Sequence, residues 1–161
     1  RPDTAASRQS IARQAAARFR SRLAESDWQL IFDAAEQLCE NWLSSQPASS
    51  LGLLPGSAMA AGSFSPSASF PRITTERSFL YRLDKELLNG IMDVTIELEN
   101  EVLVLDYKTD HVWQPDQHAL QLSIYRDAVQ QICKKPARAG LIALRTAQVW
   151  WLGETGFTNA G

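Results

Sequence analysis

No part of this chain constrains its fold more than residues 90 to 108. The stretch runs Gly90-Ile91-Met92-Asp93-Val94-Thr95-Ile96, breaks at Glu97-Leu98-Glu99-Asn100, and resumes as Glu101-Val102-Leu103-Val104-Leu105-Asp106-Tyr107-Lys108. Two β-branched, Leu-rich runs around a short polar break predict a hairpin of strands 88–98 and 101–108. Side chains alternate along a strand, so Val102, Val104, Asp106 and Lys108 share one face, and Leu103, Leu105 and Tyr107 fill the other. Apolar residues on both faces mark a central strand. A turn centred on Glu99-Asn100 places Leu98 against Glu101 and, counting back, Asp93 opposite Asp106. Opposed residues have Cβ atoms roughly 4.5–5.5 Å apart. Two carboxylates that close in a half-buried sheet repel unless one is protonated or a cation sits between them. A hard divalent ion with oxygen ligands suits that position. A lysine beside it can position or activate water, an arrangement suited to metal-dependent hydrolysis.

The rest of the chain supplies a body for this hairpin. Its 161 residues are enough for one domain with a sizeable core. No apolar run approaches the ~18 residues of a membrane span, and no signal peptide is visible. The chain opens Arg1-Pro2-Asp3 without Met, as expected of a domain excised from a longer protein. Cys39 and Cys133 are the only cysteines. Two cannot build a disulfide framework or a four-cysteine centre, so no iron–sulfur cluster is expected; two buried free thiols of a cytoplasmic protein are. The net charge of −2 is unevenly spread. Residues 1–27 carry six Arg against three acids, residues 84–110 eight acids against two Lys, and residues 126–145 five basic residues against one acid. An acidic centre between basic segments suits a metal site beside a phosphate-binding surface. Plain solvated charge accounts for the same pattern.

Residues 7–43 read as helical. Ile11, Ala15, Phe19 and Leu23 recur every four positions among Arg13, Arg18, Arg20 and Arg22. Ser26-Asp27 offers an N-cap for a second helix with the apolar stripe Ile31, Ala34, Ala35, Leu38 and Trp42. Residues 44–72 are dominated by Ser, Ala, Gly and Pro, which disfavours helix and strand alike. Such a stretch suits either a mobile flap or a segment draped over the core through Leu51, Leu53, Leu54, Phe64 and Phe70. Glu76 to Leu83 reads as a strand ahead of the hairpin. Pro115-Asp116 opens a helix to about Lys134, and strands follow at Ala139–Leu144 and Gln148–Leu152, pairing through a turn at Arg145-Thr146-Ala147. His111 and His118 fall beyond the strand end and early in the helix, positions of plain surface residues. Of Trp150 and Trp151, alternation sends one ring into the core and leaves the other exposed. The element order predicts an α/β fold with a mixed β-sheet flanked by helices.

Three motifs in this order carry a family resemblance. Gly90-Ile91-Met92-Asp93, Asp106-Tyr107-Lys108-Thr109 and Gln121-Leu122-Ser123-Ile124-Tyr125 resemble the G-x-x-D, D-x-K-T and Q-x-x-x-Y series of RecB-family nucleases, within the PD-(D/E)xK superfamily. The resemblance spans about residues 74–152. It is strongest to the C-terminal nuclease domains of RecB- and AddA-type helicase-nucleases. It implies a restriction-endonuclease-like core and one nuclease domain over residues 1–161, with 7–43 as a helical N-terminal part, 44–72 as a loop and 74–152 as the catalytic core. It further implies a metal-dependent deoxyribonuclease, an exonuclease of DNA end processing and recombinational repair. Asp93, Asp106 and the Tyr107 carbonyl would hold Mg2+, with Mn2+ as the alternative ion. Lys108 would orient or deprotonate the attacking water. Gln121 and Tyr125, four apart and hence on one helical face, would face the substrate or the surroundings of Lys108. Glu76 matches a glutamate often found on the strand before G-x-x-D. The implied partners are DNA and a helicase motor in the same chain or complex, with no membrane.

One departure stands out. RecB-type domains carry a metal-ligating histidine on an upstream helix, and this chain has no histidine before His111. Either that helix lies outside these residues, or the ligand has been lost, and in the second case a catalytically inactive nuclease-like module that binds DNA or acts as a scaffold fits the motifs too. So does a generic α/β interaction domain in which Asp-x-Lys is accidental.

Overall fold

The computed structural model describes residues 25–51 and 71–159. The first expected helix, with its arginines, lies outside them, as do residues 52–70 of the Ser/Pro/Gly/Ala-rich segment. Helix α1 (Glu25–Leu43) is followed by a short α2 (Gln46–Ser50), then by strands β1 (Arg72–Leu83), β2 (Glu86–Glu97) and β3 (Val102–Lys108). A 3-10 turn at Pro115–His118 leads into α3 (Ala119–Cys133), and β4 (Ala137–Ala143), β5 (Gln148–Gly153) and β6 (Gly156–Asn159) follow. The described strands form one sheet in the order β1-β2-β3-β4-β5-β6. Every neighbouring pair is antiparallel except β3 and β4, which are parallel. A parallel pair needs a long crossover, and α3 is part of it. The sheet is thus mixed and flanked by helices, as expected.

The β2–β3 register is the one read from the Glu99-Asn100 turn. Val94 pairs with Leu105, Thr95 with Val104, Ile96 with Leu103 and Glu97 with Val102, and the Leu98 amide donates to the Glu101 carbonyl at 2.9 Å. β3 is central and buried on both faces. Val102 and Val104 join Met92, Leu141 and the α3 residues Leu122, Tyr125 and Val129 on one side. Leu103 and Leu105 join Val94, Ile96, Ile142 and Trp42 on the other. Each fully buried aliphatic side chain contributes about 1.5–3 kcal/mol relative to exposure, so these two layers hold β3 in place from both faces.

Several expectations are corrected. α2 forms in a stretch whose composition disfavours helix. Ser45 caps it, accepting from the Ala48 amide at 3.3 Å, and Pro47 sits in its first turn; a local cap and a pre-set φ outweigh composition over so short a helix. Ser26 and Asp27 lie inside α1 rather than at its cap. Its expected stripe is not buried as a unit: Ile31 remains 52% exposed and Ala34 and Ala35 are exposed, while Trp42 and Phe32 are buried. β1 and β2 close through a two-residue turn that no pattern in the sequence signals. Asp84 there takes φ +52°, a left-handed conformation that Asp tolerates. β6 is a further strand, joined to β5 across Glu154-Thr155 between Gly153 and Gly156. Cys39 is exposed and Cys133 only partly covered, rather than both buried. Trp150 and Trp151 pack on opposite faces of the sheet and neither is fully exposed. Trp150 leans on Trp113 with centroids 5.8 Å apart, and the Arg138 guanidinium lies 4.3 Å over the Trp151 ring.

One irregularity bears directly on the site. Met92 and Val94 are two apart and should share a face, yet Met92 belongs to the α3-side layer and Val94 to the opposite one. Between them the β1–β2 ladder omits the Glu76–Asp93 pair without changing register, and Glu76 has φ +50°. A non-glycine residue in that region is strained. Leaving the extended conformation there rotates the outer half of the hairpin about its axis and turns Arg77, Phe79 and Met92 toward α3.

Candidate active site

Asp106 lies at the end of the buried part of β3 and is 3% exposed. Its Oδ2 pairs with the Lys108 ammonium, two residues along on the same face. Among the described residues that oxygen has no other polar partner. Its Oδ1 lies 3.5 Å from Gln121 Nε2. Burial pushes the Asp106 carboxyl above the usual carboxylate range. The Lys108 hydrogen bond and charge pull it back, Asp93 raises it further and His118 lowers it. Desolvation outweighs the single lysine here, as expected where a carboxylate has lost most of its water.

The β2–β3 ladder stops at Val94–Leu105, one pair short of the two carboxylates. Asp93 therefore does not face Asp106 as a ladder pair. Its Oδ2 instead accepts the Tyr107 amide at 2.9 Å, so the side chain continues the pairing where the backbone leaves off. The Asp93 carboxylate remains close enough to Asp106 to influence its ionisation. The Tyr107 hydroxyl is also held above its usual range, by burial first and then by Asp93 and Cys39.

Gln121 and Tyr125 occupy one face of α3, as their spacing predicts. Gln121 Nε2 donates to the Tyr125 hydroxyl at 2.8 Å, and that hydroxyl donates to the Ile91 carbonyl at 3.0 Å. The pair turns inward to the strands that carry the carboxylates. Glu76 lies opposite Asp93 on β1 but is exposed and outside the ladder.

His111 is exposed, as expected of a surface residue, and His118 is half-buried. His118 Nε2 lies 3.4 Å from Asp110 Oδ2, and its charge bears on Asp106. His111 Nε2 meets Arg145 Nη2 at 3.1 Å, while Arg145 Nε donates to the Thr109 carbonyl at 2.7 Å. Because arginine only donates, His111 Nε2 is the acceptor. Both histidines line an open polar cavity of about 330 Å³ with Asp110, Val112, Gln114 and Gln117. A loop of mixed polar residues carries no periodicity, so only folding brings it beside Asp106.

The oxygen-rich donors fit a hard divalent ion. Asp93, Asp106 and the Tyr107 carbonyl offer two carboxylates and a neutral oxygen, and Mg2+ keeps several of its waters when bound by so few protein groups. Among the described residues, no group of three or more His, Cys, Asp and Glu side chains converges as a metal cluster.

The family model described as the PD-(D/E)XK nuclease superfamily matches residues 4–153. The A-type chain of the ATP-dependent helicase/nuclease of Clostridium kluyveri is 35% identical over 63 residues, covering 37% of this chain and 5% of that protein. The protein of the same name from Ligilactobacillus salivarius is 38% identical over 60 residues, 35% of this chain and 5% of the relative. That of Enterococcus faecalis is 38% identical over 61 residues, 32% and 5% respectively. The stretch matched is therefore one-twentieth of each relative's length. Among the described residues no helix is long and apolar enough to cross a membrane.

Proposed function

Because the chain belongs to the PD-(D/E)XK nuclease superfamily, we propose that it is a metal-dependent DNA exonuclease domain that hydrolyses phosphodiester bonds and works beside a helicase motor in DNA end processing. The observation that carries this reading is the pairing of a buried Asp106 with Lys108 next to an Asp93 whose carboxylate is locked onto the Tyr107 amide. A buried carboxylate whose ionisation is disfavoured is costly unless it has a task.

Asp93, Asp106 and the Tyr107 carbonyl would hold the ion, Mg2+ in the first instance. A divalent ion bound there polarises the phosphate and makes water more acidic. Lys108, fixed by Asp106, orients the attacking water and offsets charge gathering on the phosphate oxygens. The water oxygen forms the new P–O bond and gives up a proton to solvent, the ester P–O bond breaks, and the departing sugar oxygen takes a proton from solvent. Gln121 and Tyr125 stand next to this centre on the inward face of α3. The helicase motor is inferred from the relatives' names, and DNA as substrate from the family together with the basic segments that flank the acidic centre.

A second reading rests on a specific observation. No histidine precedes His111 in these 161 residues, so the ligand that the resemblance implies either comes from outside them or has been lost, and in the second case an inactive DNA-binding module is the alternative. End-labelled single- and double-stranded DNA incubated with Mg2+, Mn2+ or EDTA decides between them. Ion-dependent cutting that Asp106→Ala abolishes is the expected result. Salt-sensitive DNA binding without cutting, unchanged or improved by Asp106→Ala, would transfer the argument to the inactive module.

A further inference from the structure

We infer that Phe79 is a positioning residue for the carboxylate pair: it holds the Tyr125 ring where its hydroxyl ties the Asp93 strand to the amide that faces Asp106. The inference deepens the reading above and rests on it for the metal-binding part of its test. Neither the family motifs nor the sequence pattern singles out Phe79.

The need for such a device follows from where backbone pairing ends. β2 and β3 are laddered only as far as Val94–Leu105, so no main-chain hydrogen bonds of that ladder hold the two carboxylates at a set separation. Side chains replace them. Asp93 Oδ2 accepts the Tyr107 amide. Gln121 Nε2 has two protons; it donates to the Tyr125 hydroxyl at 2.8 Å and lies 3.5 Å from Asp106 Oδ1. The Tyr125 hydroxyl donates to the carbonyl of Ile91, two residues before Asp93. These contacts close a circuit from Asp93 through Tyr107, Asp106, Gln121, Tyr125 and Ile91 back to Asp93. The Gln121–Asp106 contact is its longest link, so the circuit depends on Tyr125 holding its place.

Phe79 sets that place. It is 8% exposed, and its ring meets Tyr125 edge-on, with centroids 5.4 Å apart and planes at 77°. On the other side it lies against Gly90, where an added Cβ would stand 2.7 Å from Phe79 Cε1. The ring is therefore held between the β2 backbone and Tyr125. The strained Glu76 turns this half of β1 toward α3 and so brings Phe79 into position.

The test uses the full chain with Phe79→Leu, Tyr125→Phe and, as control, Val129→Ala. Val129 is fully buried on the same helix and in the same layer but outside the circuit. Amide hydrogen exchange of the metal-free protein, read by NMR, follows the Tyr107 N–H; calorimetry with Mn2+ follows the ion. Phe79→Leu and Tyr125→Phe should speed exchange at Tyr107 at least tenfold more than at other β3 amides and weaken Mn2+ binding about fivefold or more. Val129→Ala should lower the melting temperature, shift the β3 amides together and leave Mn2+ affinity within twofold. Phe79→Leu behaving like Val129→Ala in both readouts would overturn the inference. A selective Tyr107 effect in a protein that takes up no Mn2+ would support the positioning role and remove the metal reading instead.

Discussion

Replacing Gly90 by Ala separates backbone propensity from packing, because the two predict opposite signs. Glycine inside a strand costs about 0.5–1 kcal/mol relative to alanine, so propensity alone makes Gly90→Ala stabilising. The structure argues otherwise. The new Cβ would stand 2.7 Å from Phe79 Cε1 and 3.0 Å from Cζ, whereas carbon atoms rest at about 3.5–4.0 Å. The ring would have to retreat by roughly 1 Å, and Tyr125 lies behind it. Overpacking of this kind costs about 1–3 kcal/mol. Set against the propensity gain, a net loss of about 0–2.5 kcal/mol remains. At about 2–4 °C per kcal/mol for a domain of this size, the melting temperature should fall by up to roughly 10 °C. Urea and thermal unfolding of Gly90→Ala, Phe79→Leu and the double variant check the reasoning. Leucine has no atoms at Cε1 or Cζ, so in that background Gly90→Ala should become stabilising, by about 0.5–1 kcal/mol. A wild-type background in which Gly90→Ala raises the melting temperature, or a double variant that is simply additive, would refute the steric account.

Three further outcomes are expected. Burial holds the Asp106 carboxyl above its usual range, so the folded state binds that proton more tightly than the unfolded chain. Its stabilising contribution is present at low pH and is lost as pH rises through the raised value. Asp106→Asn should therefore raise the melting temperature of the metal-free protein at pH 7, by an amount that shrinks on acidification, while eliminating any rise on adding Mn2+; a lower metal-free melting temperature at pH 7 counts against it. Lys108→Gln should reduce the cleavage rate at least about 100-fold, the order of one lost electrostatic group, while calorimetric Mn2+ affinity stays within about fivefold; a parallel collapse of both would place the lysine's role in assembling the ion site. Leu141 is fully buried and pairs with Asp106 across β3–β4, so Leu141→Ala should cost about 2–5 kcal/mol in denaturant unfolding; a loss under about 1 kcal/mol would contradict the packing described.

Residues 88–108 largely determined their own arrangement. Alternation of apolar residues on both faces admits only a buried central strand, and the Glu99-Asn100 turn admits one register, because a slip of one residue would send every core side chain to the wrong face. That Asp106 and Lys108 share a face, that Gln121 and Tyr125 share another, and that a helix follows the hairpin are all legible from periods of 2 and 3.6 residues. What the tertiary structure alone decided lies where periodicity is broken or absent. The ladder ends one pair before the carboxylates, so Asp93 binds the Tyr107 amide instead of facing Asp106. The left-handed Glu76 exchanges the faces of β1 and β2, which no alternation pattern encodes. The loop from Asp110 to His118 comes beside Asp106 through contacts distant in sequence, notably Arg145 on the Thr109 carbonyl. Local pattern reports which face a residue takes within its own element. Where that element bends, and what then lies against it, depends on the packing of neighbours that the local pattern does not contain.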